Sequence, residues 1–257
     1  MVKGLYTAYT GLRHQQQKLD VISNNMANAA TTGYKKEGTT AQAFDTMLMY
    51  KIKDLSTAAD ADGVGKANLG VKIGETYVDY SQGAFKTTGN PYDLALSGNG
   101  FFTVEFTNKS GQTSTKYTRD GSFTLKDDGY LVTKDGDYVL DVNGRHIRLD
   151  TLNDASIDHK GYIYQNNNIV AQLGLQDFTD YNYLEHYGEN YFQPVEGATF
   201  KTCTAEVYEG YLEASNVQVV SEMVSLISVT RAYETNQKMM QTIDNTLEID
   251  STQLGRV

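Results

Sequence analysis

The chain holds one cysteine, Cys203, in 257 residues, so no intrachain disulfide can form. That excludes a disulfide framework, though not an extracytoplasmic address. Cys203 reads as a strand residue. No stretch approaches the ~18–20 apolar residues of a membrane span, so no membrane insertion is expected. Basic residues are few: 22 Lys and Arg stand against 32 Asp and Glu, a net charge of -10. No local stripe of Lys and Arg offsets this balance, which argues against a nucleic-acid partner. After Lys3 no apolar run follows, because Arg13, His14 and Gln15 to Gln17 arrive at once. An ordinary cleaved secretory signal is therefore not expected.

Chemistry-bearing motifs are missing as well. His14, His146, His159 and His186 are scattered, without HExxH or Cys/His spacing, so no metal site is expected. Asp135, Asp137 and Asp141 begin like a calcium loop, but the sixth and twelfth places hold Leu140 and His146. They read as hairpin-turn acids. Ser97-Gly-Asn-Gly-Phe-Phe102 runs into a strand pattern, not the helix that a phosphate loop requires. No P-loop, dinucleotide fingerprint or nucleophile elbow occurs, and no catalytic residue or cofactor is nominated.

What is present is a seven-residue apolar repeat at each end. Near the C-terminus the row is Leu212, Val219, Leu226, Tyr233, Met240 and Leu247, with Met223 on an intermediate row continued by polar Thr230, Gln237 and Asp244. Near the N-terminus it is Leu5, Leu12, Leu19 and Met26, flanked by Met1, Ala8 and Ile22. Such a repeat marks helices that pack lengthwise on other helices. The two ends are expected to pair, and to meet copies from other subunits. Gly4, Ala8 and Gly11 share one face, which points to close helix–helix approach. Forty helical residues from about 210 would span about 60 Å, longer than a compact domain of this size covers.

Between the ends the period falls to two. Strand candidates are residues 75–79, 94–96, 101–106, 116–118, 123–125, 130–133, 138–140, 147–149, 162–165, 169–177 and 203–207. Asp120-Gly121, Asp128-Gly129, Asp135-Gly136 and Asn143-Gly144 suit type I′ hairpin turns. The reading is an α+β chain: a mainly antiparallel β body with long N- and C-terminal α-helices pairing as a coiled-coil-like layer. Residues 1–35 and 210–257 are expected to form a discontinuous helical assembly domain. Residues 76–209 form the β domain, and 36–75 an extended linker with a short helix over 41–52.

Three blocks carry a family resemblance. The first is SNNMANAATTGYKK, residues 23–36, with Ser23, Asn24, Asn25, Asn28 and Gly33 as its markers. The second joins residues 82–104 and 117–140 of the β region. The third, residues 212–244, places Ser215, Asn216, Glu222, Arg231, Tyr233 and Asn236 in order. Together they resemble the bacterial flagellar rod and hook proteins. Hook members carry a further outer domain for which 257 residues leave no room. The chain is therefore most similar to rod members, the distal kind in particular, with a proximal rod or hook-type protein as the alternative. Ser23, Asn24, Asn25 and Asn28 are expected to bond backbone where the first helix stops.

The resemblance implies an axial subunit of the flagellar basal body, exported without a cleaved signal by the flagellar export apparatus. It implies a homo-oligomeric helical tube that transmits motor torque, meeting other rod and hook proteins. From the residues alone, a secreted carbohydrate-binding β domain rich in Tyr is the rival of another class, and an enzyme a distant third.

Overall fold

The computed structural model describes residues 2–51, 62–68, 70–109, 111–153, 155–188 and 190–253. The chain divides into two units. One comprises Met1–Ala27, Glu37–Asp79 and Gln218–Val257; the other comprises Asn28–Lys36 and Tyr80–Val217. The boundaries expected at 35 and 210 thus differ, because residues 28–36 and 210–217 are bonded into the β unit.

The first unit contains two long helices, α1 (Val2–Ala27) and α2 (Val219–Gln253). They pack on each other. A Cβ added to Gly4 would lie 3.6 Å from Ile243 Cδ1, and one added to Gly11 would lie 3.2 Å from Asn236 Nδ2. Seven residues forward on α1 is seven back on α2, so the pair is antiparallel. The α1 face expected to allow close approach is the one turned to α2, with Gly11 the tighter of its two glycines.

Among the half-buried and buried positions of α1, one row runs through Leu5, Ala8, Leu12, Gln15, Leu19, Ile22 and Met26. On α2 a matching row runs through Glu222, Leu226, Val229, Tyr233, Asn236, Met240, Ile243 and Leu247. Both sets alternate steps of four and three, the spacing of a lengthwise seam.

Three sequence expectations for α2 need correction. The row next to Leu226 is not Met223, Thr230, Gln237 and Asp244 but the one a residue earlier, carrying Val229 and Ile243. From Leu226 a seam steps forward three and back four; the reverse choice lands on the outer flank, where Met223 is half exposed. Leu212 is not helical: it is buried in strand Tyr211–Glu213. The helix begins only at Val219, after a turn in which Ser215 Oγ accepts from Val217 N at 3.2 Å. Val219 itself is exposed.

The rest of this unit is a two-stranded ribbon. Strand Glu37–Ala43 pairs antiparallel with Val71–Val78, and Met47–Lys51 pairs with Asp62–Ala67. The short helix expected over 41–52 is therefore the end of one strand, a break at residues 44–46 and the strand Met47–Lys51, and Ile52 lies outside the described residues. Cross-strand bonds explain the difference: Thr40 Oγ1 donates to Glu75 O at 3.1 Å and accepts from Glu75 N at 2.9 Å. A partner 35 residues away is invisible to local pattern.

The second unit is an antiparallel β body. Its nine-stranded sheet centres on Phe101–Thr107, with Thr113–Thr118, Tyr191–Pro194 and Leu184–Tyr187 on one side. Tyr138–Val139, Leu131–Thr133 and Phe123–Leu125 follow on the other. The core joins Leu94, Leu96, Phe102, Val104, Phe123, Leu131, Ile163, Leu173 and Val207, each at most 1% exposed. Of residues 147–149 only Arg148 makes an isolated bridge, to Tyr130, in place of the expected strand. Cys203 lies between strands Phe200–Lys201 and Glu206–Glu209, not in one.

The turns also correct the sequence reading. Gly129, Gly136 and Gly144 have positive φ, but the Asp and Asn before them do not. At Thr133, for example, O accepts from Gly136 N at 3.0 Å and N donates to Asp137 O at 2.8 Å. This is the three-residue loop with glycine in the left-handed position. The type I′ requirement of two positive φ values is met instead at Asn166 (50°) and Asn167 (63°). A side chain at positive φ is costly, so one glycine per turn favours the loop that needs only one.

Candidate functional site

Two constructions hold the chain ends. The first is the α1–α2 seam. Ile22 and Val229 are buried; Leu5, Leu12, Leu19, Met26, Leu226, Tyr233, Met240 and Leu247 remain partly exposed. At the end of α1, Asn25 is 1% exposed. Its Nδ2 donates to Glu37 O at 2.8 Å and its Oδ1 accepts from Glu37 N at 2.9 Å. One amide thus satisfies both polar groups of a backbone residue and fixes where the chain re-enters the ribbon. Asn28 O accepts from Thr31 N at 3.1 Å, closing a turn. The expected side-chain bonding to backbone is present at Asn25; the Asn28 side chain instead accepts from Thr31 Oγ1 at 3.3 Å, and Ser23 and Asn24 are exposed.

The second construction lies in the β body. Gly33 takes φ +69°, and its N donates to Glu213 O at 2.8 Å. Tyr34 and Lys35 follow it into the interior, each 2% exposed. Lys35 Nζ meets Glu213 Oε1 at 2.6 Å and Ser81 O at 2.9 Å. Arg119 Nη1 stands 3.3 Å from Glu213 Oε2, and its Nη2 donates to Gly98 O at 2.7 Å. Glu213 Oε1 accepts also from Gly83 N at 2.9 Å. Asn216 adds a second tie: its Oδ1 accepts from Lys36 N at 2.7 Å while its Nδ2 donates to Ser81 O at 3.2 Å. Segments about 180 residues apart in sequence are therefore fastened by two side chains, Glu213 and Asn216.

Sequence reading selected Gly33 and Asn216 but missed Lys35, Arg119 and Glu213. A Lys, an Arg and a Glu without local spacing look like solvated surface, and only the fold reveals them as a buried ion cluster. The other motif residues are spread along α2: Glu222 is buried, Tyr233 and Asn236 face the seam, and Arg231 is exposed.

The acids once weighed as a calcium loop have other work. Asp137 accepts from Tyr191 OH at 2.7 Å, and burial above all holds that phenol above its ordinary range. Asp141 Oδ1 accepts from Val142 N at 2.7 Å. Among the described residues no group of three His, Cys, Asp or Glu is placed to hold a metal ion. Among them, too, no helix is long and apolar enough to cross a membrane.

Paired helices from both chain ends, together with a β body that clasps its own first and last segments, are the build of a structural subunit. Comparison with known proteins makes that specific. Residues 5–35 match the family described as flagella basal body rod protein. Residues 95–165 match the flagellar hook protein FlgE/F/G D1 domain, and 208–254 the flagellar basal body rod FlgEFG protein C-terminal family. The chain is 35% identical to the flagellar basal-body rod protein FlgF of Caulobacter vibrioides, over 97% of this chain and 96% of the relative. It is 32% identical to FlgG of Buchnera aphidicola subsp. Schizaphis graminum, over 96% of this chain and 98% of the relative. It is likewise 32% identical to FlgG of Bacillus subtilis, over 96% and 97%. The chain belongs to the bacterial flagellar basal-body rod protein family. It is a structural axial subunit of the rod in the flagellar basal body, and the distal kind of rod protein fits the FlgG relatives. The carbohydrate-binding alternative gains no support from these relatives.

Proposed function

We propose that the chain is a non-enzymatic rod subunit that self-assembles into a helical tube and transmits motor torque along it. Its partners are further copies, other rod and hook proteins, and the flagellar export apparatus that delivers it. The observation that supports this reading most is the half-covered seam. Leu5, Leu12, Leu226, Tyr233, Met240 and Leu247 lie between α1 and α2 yet remain partly exposed in the single chain. Burying such side chains is worth about 1.5–3 kcal/mol each, while ordering the backbone costs roughly 1–2 kcal/mol per residue. Two helices alone leave this balance close; neighbouring copies add apolar contact to helices already ordered. Stiffness against torque then comes from lengthwise close packing.

Two results are expected. Leu226→Asp or Leu12→Asp places a carboxylate in the seam and abolishes swimming, while circular dichroism of the β body stays unchanged; normal motility in either variant refutes the seam's role. Amide exchange in residues 2–27 and 219–253 is fast in dilute protein and slows as concentration rises. Strong protection that ignores concentration would mean the helices need no neighbours.

A further inference from the structure

Within the β body, strands Ala155–Ile157, Tyr162–Gln165 and Asn168–Gln172 form a three-stranded antiparallel sheet with a different construction at each end. At the end of the Asn166-Asn167 turn, the preceding chain carries Leu152 at the tip of a loop, 91% exposed. The loop itself is firmly held. Buried Gln165 accepts from Asp150 N at 2.9 Å through Oε1, and its Nε2 donates to Asp150 O at 2.9 Å and to Asn153 O at 3.1 Å. Asp150 Oδ1 accepts from Leu152 N at 3.2 Å, and Oδ2 from Asn153 Nδ2 at 2.7 Å. A fixed loop that offers one bare apolar side chain is preorganised for contact. Beside it lies a depression that holds Asp127, Asp128 and Asp150 against one cation, Arg148. Half-exposed Val170 adds apolar surface there.

The other end of the sheet, at the turn closed by Gly161 N donating to Asp158 O at 2.8 Å, borders a cleft of about 750 Å³. Leu173, Leu175 and Phe200 contribute its apolar lining, and Phe200 is 59% exposed. Lys160 and Lys201 line it too, opposed by one carboxylate, Glu206. Lys160 is exposed, and Lys201 reaches Asp177 only at 3.9 Å. Glu206 Oε2 already accepts from Tyr208 OH at 3.0 Å. Thr and Gln side chains add uncharged polar groups.

We infer that Leu152 of one copy seats in the Phe200 cleft of the next, with Lys160 and Lys201 of that cleft against the Asp127–Asp150 depression of the first. This rests on the self-assembly reading and names one of its contacts. An apolar knob in net negative surroundings meets an apolar floor in net positive ones, so burial and charge favour the same pairing. Knob and cleft lie at opposite ends of one sheet, so copies join end to end. A head-to-tail contact of this kind that does not close builds an open array, as a tube requires.

The test uses the full chain in a Cys203→Ser background, with Thr151→Cys beside the knob in one preparation and Thr202→Cys at the cleft in another. A short bismaleimide is expected to give a covalent dimer when the two are mixed and none with either alone. Leu152→Ser should weaken self-association roughly ten- to hundred-fold by sedimentation, with circular dichroism unchanged. Asp127→Lys and Lys160→Glu should each weaken it about ten-fold, and mixing these two variants should restore it, because each then meets opposite charge on the other. Cross-linking of either cysteine preparation with itself, or no gain on mixing the charge variants, overturns the inference. So does a wild-type chain that self-associates while the cysteine mixture gives no dimer; self-assembly then survives without this contact. A wild-type chain that stays monomeric at every concentration removes both.

Discussion

Replacing Glu213 with Ala is expected to destabilise the β body by about 3–5 kcal/mol, the cost of breaking a buried ion cluster by removing its carboxylate. Glu213 has a fully buried side chain, with Lys35 and Arg119 1% and 3% exposed beside it. The change removes the carboxylate from Lys35 and from Arg119, which retains Gly98 O and the face of the Phe101 ring. The Gly83 N–H loses its acceptor too. Glu213→Gln retains size and an acceptor oxygen but not charge, and should fall between wild type and Ala. The chain has no Trp and 19 Tyr, so near-ultraviolet circular dichroism of tyrosine follows the body during urea unfolding. With a slope near 2 kcal/mol per M, the midpoint should drop by roughly 1.5–2.5 M. A drop below about 0.5 M would mean that water reaches the cluster.

The cluster also predicts non-additivity. Lys35→Met, Arg119→Met and Glu213→Leu together remove the three charges described and leave apolar volume. That triple variant should be more stable than Glu213→Ala alone, because a buried ion cluster is costly chiefly when it is broken. That result would assign the cluster to pairing Lys35 with Glu213, 178 positions later, more than to net stability.

What could be read in the sequence follows from the range of the interaction. Leu5, Leu12, Leu19, Leu226, Tyr233, Met240 and Leu247 were legible because a lengthwise seam writes itself at fixed local spacing. The second α2 row was misplaced by one residue. Polar Glu222 and Asn236 share it with Val229 and Ile243, so composition did not mark it. Leu212 was drawn into the helix because Ala214 to Val217 contain no Gly or Pro to announce a stop. Of the ribbon over 37–78 only residues 75–79 were legible as strand; the rest was not, since its bonds run between residues 35 apart. The hairpins at Asp128-Gly129 and Asp135-Gly136 were found, but their turn type was wrong: dipeptide chemistry marks where φ is positive, not how many residues take it. Asn25 was singled out by resemblance, and only the fold shows its amide closing both bonds to Glu37.

Gly33→Ala is the other change expected to be severe, and its physics is separable into two parts. At φ +69° an L side chain costs about 1–2 kcal/mol on conformation alone. Its Cβ would also stand 2.5 Å from Arg119 C and Asp120 N and 2.7 Å from Arg119 O. These are backbone atoms, which no rotamer change can move aside, so overpacking adds about 1–3 kcal/mol. Relief means lifting residue 33 away, which breaks its bond to Glu213 O and draws Tyr34 and Lys35 out of the interior. Residues 28–36 should then become accessible to protease and exchange fast, and swimming should be lost. Gly89→Ala supplies the comparison, since Gly89 has φ +73° but nothing within 4 Å of an added Cβ. It should lose only the conformational part, about 1–2 kcal/mol, and keep residues 28–36 protected. Equal losses at the two glycines would remove the Arg119 backbone contact from the account.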